Sequence, residues 1–140
     1  MAYYECLSNN DHINIGDKFS VSLTGSQNTT ITASVCYIDK NTICLLRDGG
    51  PGGTTWVTAC TYAWNYSVNI NNKEYTGTCR IPTLEQIYSK CAGFYRGFNY
   101  WLSKKRDSSR AYYVTNIGSV EYIDIDVTFV NYLPFIEITL

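Results

Sequence analysis

Apolar and polar positions alternate with a period of two along much of this chain. Ile13, Ile15, Phe19, Val21 and Leu23 alternate with Asn14, Lys18, Ser20 and Ser22, interrupted at Gly16-Asp17. Alternation places successive side chains on opposite faces, so residues 12 to 24 are expected to form a half-buried strand with a turn or bulge early in it. Gly25-Ser26-Gln27-Asn28 is a turn signal, after which Ile31, Ala33 and Val35 alternate again. Ile43-Cys44-Leu45-Leu46 is a short continuous apolar run behind Asp39-Lys40-Asn41. Residues 1–47 therefore read as a small antiparallel β meander.

Asp48-Gly49-Gly50-Pro51-Gly52-Gly53 is the strongest breaker in the sequence. It lacks the Gly-Lys-Ser/Thr ending of a phosphate-cradling loop, so residues 48–53 read as a connection. Behind it, Thr54 or Thr55 caps a helix that places Trp56, Ala59, Cys60, Ala63 and Trp64 at offsets near helical periodicity, predicting a helix from about 55 to 66. Asn69 to Thr78 is rich in Asn, Thr and Gly and reads as a loop with room for a small hairpin. Thr83 and Gln86 have the spacing of a capping box, and Pro82 blocks helix on its N-terminal side, which predicts a helix from 84 to about 91. Strands are expected near 98–103, 110–117, 119–129 and 133–139. The cleanest alternation puts Ile123, Ile125, Val127 and Phe129 inward and Tyr122, Asp124, Asp126 and Thr128 outward. Pro134 places the start of the last strand at an edge or bulge.

With 140 residues, 45% of them hydrophobic, the chain is long enough to bury a core as one domain spanning 1–140. Only 16% are charged and the formal net charge is −1, so no bulk field draws in nucleic acid or an anionic membrane. No window approaches the apolar length of a membrane-spanning helix. The N-terminus has neither the basic start nor the apolar run of a signal peptide, which predicts synthesis and folding in the cytoplasm. In that compartment the six cysteines are expected to be thiols rather than a disulfide framework. They show no C-x-x-C pair and no neighbouring His, so no metal site is expected; Cys36 and Cys44 read as small buried hydrophobes. Thirteen tyrosines raise the aromatic content to 15%, a composition that suits both a β core and a contact surface.

The order of motifs carries a resemblance. Trp56, Ala59 and Ala63 precede Arg80-Ile81-Pro82-Thr83 with Glu85. Then come Tyr100-Trp101 with Ser103, Ala111-Tyr112-Tyr113-Val114, Gly118 and Pro134-Phe135-Ile136. This succession resembles the bacterial and phage C-type-lectin-like families, which include small domains of the formylglycine-generating-enzyme fold and phage receptor-binding variable proteins. It covers residues 54–140 well and the first 50 weakly. The resemblance implies an α+β C-type-lectin-like domain with two helices flanking an antiparallel sheet, and with N- and C-terminal strands close together. It also implies a ligand surface on loops and outer strands between the Trp-marked strand and the last one. Here that surface maps to Lys104, Lys105, Arg106, Arg110, Asn116, Tyr122, Asp124 and Asp126. The Glu-Pro-Asn, Gln-Pro-Asp and Trp-Asn-Asp signatures that hold sugar-binding calcium in animal C-type lectins are absent, which points to metal-independent recognition. No equivalent of the oxidase's reactive cysteine pair is present.

The titratable candidates fit that picture. His12, the sole histidine, lies in an Asn-Asp-His turn and reads as a solvated residue rather than a general base. Asp124 and Asp126 would stand about 7 Å apart on one strand face, a spacing open to a metal or an acid–base pair, although the alternation makes them a wet face. Lys104 to Arg110 is the most basic segment and reads as a hairpin loop available to an acidic partner or glycan. Trp56, Trp64 and Trp101 read as core, and tyrosines 112, 113, 122 and 132 as a contact surface. The expected function is that of a non-enzymatic phage virion-surface protein without cofactor, either a capsid decoration or a tail or fibre receptor-binding element. Its expected partners are other virion or surface-assembly proteins and a host glycan or surface protein, within an oligomer or larger assembly. The alternative is a bacterial cell-surface carbohydrate- or protein-binding domain.

Overall fold

A computed structural model describes residues 12–91 and 97–140. Among the described residues the polypeptide is mostly antiparallel β-sheet with two short helices. The described residues divide into two compact units that do not follow chain order: residues 12–48, 63–79 and 135–140 form one, and residues 49–62, 80–91 and 97–134 the other.

The first unit is a six-stranded antiparallel sheet. β1 (Lys18–Gly25), β2 (Thr29–Ile38) and β3 (Thr42–Arg47) form the expected meander, β4 (Trp64–Ile70) and β5 (Lys73–Cys79) form a hairpin, and β9 (Phe135–Thr139) closes the order β5-β4-β1-β2-β3-β9. The edge strands β5 and β9 approach each other, so the sheet curls around its inward side chains. Val21 and Leu23 on β1 pair with Ile31 and Val68 or Tyr66 on the flanking strands, and all are buried. Burying a side chain of Val or Leu size contributes about 1.5–3 kcal/mol, so this row is a main source of the unit's stability. β3, the continuous apolar run, is buried on both faces. Residues 12–17 are a turn rather than strand: Asn14 and Asp17 bond each other, and Gly16 takes φ +93. β1 therefore starts at Lys18. β9 begins directly after Pro134 and is an edge strand, as its proline requires. It pairs with β3, the last strand of the N-terminal meander, in the sheet that also holds β1.

β4 and β5 correct one expectation and extend another. The helix beginning at Trp56 was expected to run to residue 66, yet it ends at Thr61, where Tyr62 turns extended. The strand alternation of Trp64, Tyr66, Val68 and Ile70, all buried, overrides the helical spacing of Ala63 and Trp64. Residues 69–78, read as a loop with room for a small hairpin, form that hairpin: the end of β4 and most of β5. They are joined by Asn71 and Asn72, whose φ values of 53 and 66 make a two-residue hairpin turn.

The second unit combines α1 (Trp56–Thr61), α2 (Leu84–Lys90) and a three-stranded antiparallel sheet β6-β7-β8 (Tyr100–Lys105, Arg110–Val114, Val120–Asp124). α2 starts at the expected capping box: Gln86 N donates to Thr83 Oγ1 at 3.0 Å and Thr83 N to Gln86 Oε1 at 2.9 Å. Trp101 is fully buried and Trp64, in the first unit, nearly so, while Trp56 is half-buried and donates its indole N–H to the Leu102 carbonyl. The strand expected over 119–129 stops at Asp124, because the Asp124 carboxylate accepts the Asp126 N–H at 2.8 Å and turns the chain. Beyond it, Ile125 and Val130 offer their carbonyls to Trp56 and Thr54. Ile123, Ile125 and Val127 are accordingly only half-buried, and Phe129 is 56% exposed rather than inward.

Candidate recognition surface

The β6–β7 hairpin turns on one carboxylate. Asp107 accepts from the backbone N–H groups of Ser109 and Arg110, both at 3.0 Å, and from the Ser109 hydroxyl at 3.2 Å. The Arg110 side chain closes on it, with Nε at 2.9 Å and Nη2 at 2.7 Å from Oδ2. These donors, the Arg110 side chain foremost, hold the Asp107 carboxyl down at about 2. Arg106 N donates to the Arg110 carbonyl at 2.8 Å and completes the hairpin. A loop rich in Ser and charge is thereby given one conformation.

The β7–β8 register then assembles the surface. Arg110 stands opposite Asp124 and Tyr112 opposite Tyr122, so all four share one face of the sheet. The Arg106 guanidinium carbon lies 4.8 Å from the Tyr122 ring centroid and that of Arg110 5.0 Å from it, both within cation–π range. Tyr112 meets Tyr122 edge-on, at 6.2 Å and 84°. Hydrogen bonding to the Tyr112 and Tyr122 phenols raises the Arg106 pKa further, so its charge is permanent. Tyr122 is 42% exposed and Arg106 is at the surface. The result is an ordered phenol pair flanked by two planar cations, able to stack on a ring and to donate paired N–H groups to a carboxylate or sulfate.

Of the eight residues marked in the sequence, Arg106, Arg110, Tyr122 and Asp124 come together here. Lys105 turns elsewhere, with Nζ 5.5 Å from the Trp56 ring centroid, and Lys104 is exposed on β6. Asn116 belongs to the Thr115–Ser119 turn at the other end of the β7–β8 hairpin, where its backbone N–H bonds Asn99 Oδ1. Asp126 lies past the end of β8, so Asp124 and Asp126 are not a carboxylate pair on one strand, and the Asp124 oxygen is engaged in the turn. The tyrosine set divides as well: Tyr112 and Tyr113 are half-buried, while Tyr132 is 9% exposed and stacks on Tyr62 at 4.5 Å. Asp107, the organiser of the loop, was not singled out by sequence reasoning, although its Asp-x-Ser-Arg context is the signal for a carboxylate-capped turn.

Other reactive-looking groups serve structure. Cys60 and Cys79 are thiols, and burial pushes them up to about 11 and about 12, which keeps them protonated at neutral pH. Cys6 lies outside the described residues. Ser34 is buried at 2% exposure between Lys18 and Asp48, with its hydroxyl donated to Asp48, so it is a strut behind a surface ion pair. His12 is exposed ahead of β1. Among the described residues, no three His, Cys, Asp or Glu side chains gather as metal ligands, and no helix is long and apolar enough to cross a membrane. No family model, curated protein or solved structure matches the chain.

Proposed function

We propose that this protein is a non-enzymatic recognition module of the phage virion surface, and that the Arg106–Tyr122–Arg110 cluster is its contact face for an acidic glycan on the host. The observation that carries the binding half is the pair of guanidiniums within 5.0 Å of one exposed phenol ring, on a hairpin already ordered by Asp107. Preorganised aromatic and guanidinium groups lose little conformational entropy on binding, which is what a recognition face needs. A sugar carboxylate or sulfate would meet the N–H edges of Arg106, and its ring would lie against Tyr122. The virion setting, and a C-type-lectin-like identity for the second unit, rest on the order of motifs from Trp56 to Ile136; the pairing of two short helices with a β6-β7-β8 sheet supports them.

The setting and the contact face have separate tests. Mass spectrometry of purified phage particles is expected to detect the chain as a stoichiometric component; its absence from particles rejects the virion setting. On an array of sialylated, uronate-containing and sulfated oligosaccharides, the protein is expected to bind acidic members and to lose them as salt rises. A uniformly blank acidic panel rejects the contact face.

A further inference from the structure

The first unit carries a second feature, of different chemistry. Alternation along β1, β4 and β5 exports Ser22 and Thr24, Asn65 and Ser67, and Thr76 and Thr78 to the outer side of the sheet. The register lines them up in two rows that cross three strands: Ser22–Ser67–Thr76 and Thr24–Asn65–Thr78. Between the rows lies the level of Leu23, Tyr66 and Gly77, where the buried Leu23 and Tyr66 side chains face the other way. These two polar rails, with Tyr66 and Gly77 between them, enclose an open groove of about 380 Å3, within the range of small-ligand clefts. Rails two residues apart stand about 7 Å from each other, and adjacent strands about 4.8 Å. Thr30, opposite Ser22, extends one rail onto β2, for a length of about 14 Å.

Gly77 is part of the construction. A Cβ there would lie 2.7 Å from the Tyr66 hydroxyl oxygen and 2.9 Å from its ring carbons, so glycine lets the Tyr66 ring lie against β5 beneath the groove. Tyr66 is buried, and burial raises its phenol pKa, so the floor stays neutral. Of the rail side chains, Ser67 bonds Glu74 at 3.0 Å. Among the described residues the other five side chains make no hydrogen bond, and they line the groove with donors and acceptors.

We infer that this groove binds a neutral oligosaccharide lying across the strands. Hydroxyl and amide rails both donate and accept, as sugar hydroxyls do, and their regular spacing presents partners along a chain. The lining holds no cation to pair with an acidic ligand, and Glu74 beside Ser67 repels one. The site is separate from the Tyr122 cluster in residues and in ligand charge, so either can exist without the other.

The test is a titration of the 15N-labelled full chain with maltohexaose, cellohexaose and chitohexaose, and with a sulfated oligosaccharide as the acidic probe. At least one neutral hexasaccharide is expected to shift the amides of residues 22–24, 65–67 and 76–78, with the sulfated probe leaving them in place. Thr76→Lys and, independently, Thr24→Lys put a long cation across the groove at exposed positions and are expected to weaken neutral binding at least tenfold. The Arg106→Ala, Tyr122→Ala double variant is expected to bind neutral sugars as the parent does, which separates this site from the acidic one. The inference is overturned if none of the three neutral sugars moves these amides at millimolar concentration. It is equally overturned if a lysine variant with an unchanged amide spectrum elsewhere binds with parental affinity. Loss of neutral binding in the double variant would assign those sugars to the other surface.

Discussion

The indole N–H of Trp101 donates to the carbonyl oxygen of Thr54 at 2.7 Å. This bond ties the buried tryptophan of β6 to the chain just after the Gly-rich connection, ahead of α1. The Trp101 backbone N–H bonds the Asn131 carbonyl at 2.9 Å, and Asn131 Oδ1 accepts the Gly52 N–H at 3.0 Å. One aromatic side chain thus completes a bracket in which residues 52–54, 101 and 131 hold one another.

Trp101→Phe keeps an aromatic ring but removes the donor and leaves a void. An acceptor stripped of its partner in a part-buried site costs about 1–3 kcal/mol, and the lost volume adds to it. Urea unfolding is expected to show a loss of about 2–4 kcal/mol. A loss under about 0.5 kcal/mol would mean that the indole bond does not hold the bracket.

Gly53→Ala and Gly49→Ala are expected to differ sharply although both lie in one glycine-rich run. A Cβ on Gly53 would stand 1.9 Å from the Thr128 carbonyl oxygen and 2.7 Å from Phe129 Cα, both backbone atoms that no rotamer change can move. A Cβ on Gly49 meets nothing within 4 Å. The first substitution is expected to cost about 2 kcal/mol or more. The second is expected to be neutral or to stabilise by up to about 1 kcal/mol, because alanine restricts the unfolded chain. Paired thermal melts read the contrast directly.

Asp107 gives the hairpin a pH dependence. Its carboxyl sits at about 2 in the folded state against an ordinary value of 3.8. A depressed carboxylate contributes stability that is complete above its unfolded pKa and is lost as pH falls through the folded one. The order of residues 106–110 is therefore expected to persist at neutral pH and to decay between about pH 4 and pH 2. The Ser109 and Arg110 amide shifts should titrate with a midpoint near the lower end. In Arg110→Gln that midpoint is expected to rise towards the ordinary carboxylate value, since the Arg110 side chain is the largest cause of the depression. An unchanged midpoint would contradict the pairing.

Some of this was legible from sequence for identifiable reasons. The Thr83–Gln86 box specifies a helix start by itself, and the period-two runs of β1 and β2 mark both the strands and their inward faces. Other regions carried conflicting signals. Residues 56–64 satisfy a helical spacing while 64–70 satisfy strand alternation, and the overlap concealed where α1 ends. β5 reads Lys-Glu-Tyr-Thr-Gly-Thr-Cys and buries only Cys79 fully, so an edge strand with so little apolar pattern looks like a loop. Residues 122–129 alternate cleanly, and only the Asp124 side-chain turn ends the strand early. The basic hairpin was visible as a run of charge. Tyr122 was marked as well, but its pairing with Arg106 and Arg110 follows only from the Arg110–Asp124 register, which a slip of one residue would send to the opposite face.

The most direct measurement of the central claim is the affinity of the parent protein for a sialylated and a sulfated oligosaccharide, compared with Arg106→Ala, Tyr122→Ala and Asn116→Ala, by titration calorimetry at low salt. All three positions are exposed, and the amide spectra of the variants are expected to match the parent away from the changed residues. Arg106→Ala and Tyr122→Ala are each expected to weaken acidic-glycan binding at least tenfold, while Asn116→Ala, at the far end of the β7–β8 hairpin, leaves it unchanged. Parental affinity in both cluster variants, or a loss confined to Asn116→Ala, would contradict recognition through the Tyr122 cluster.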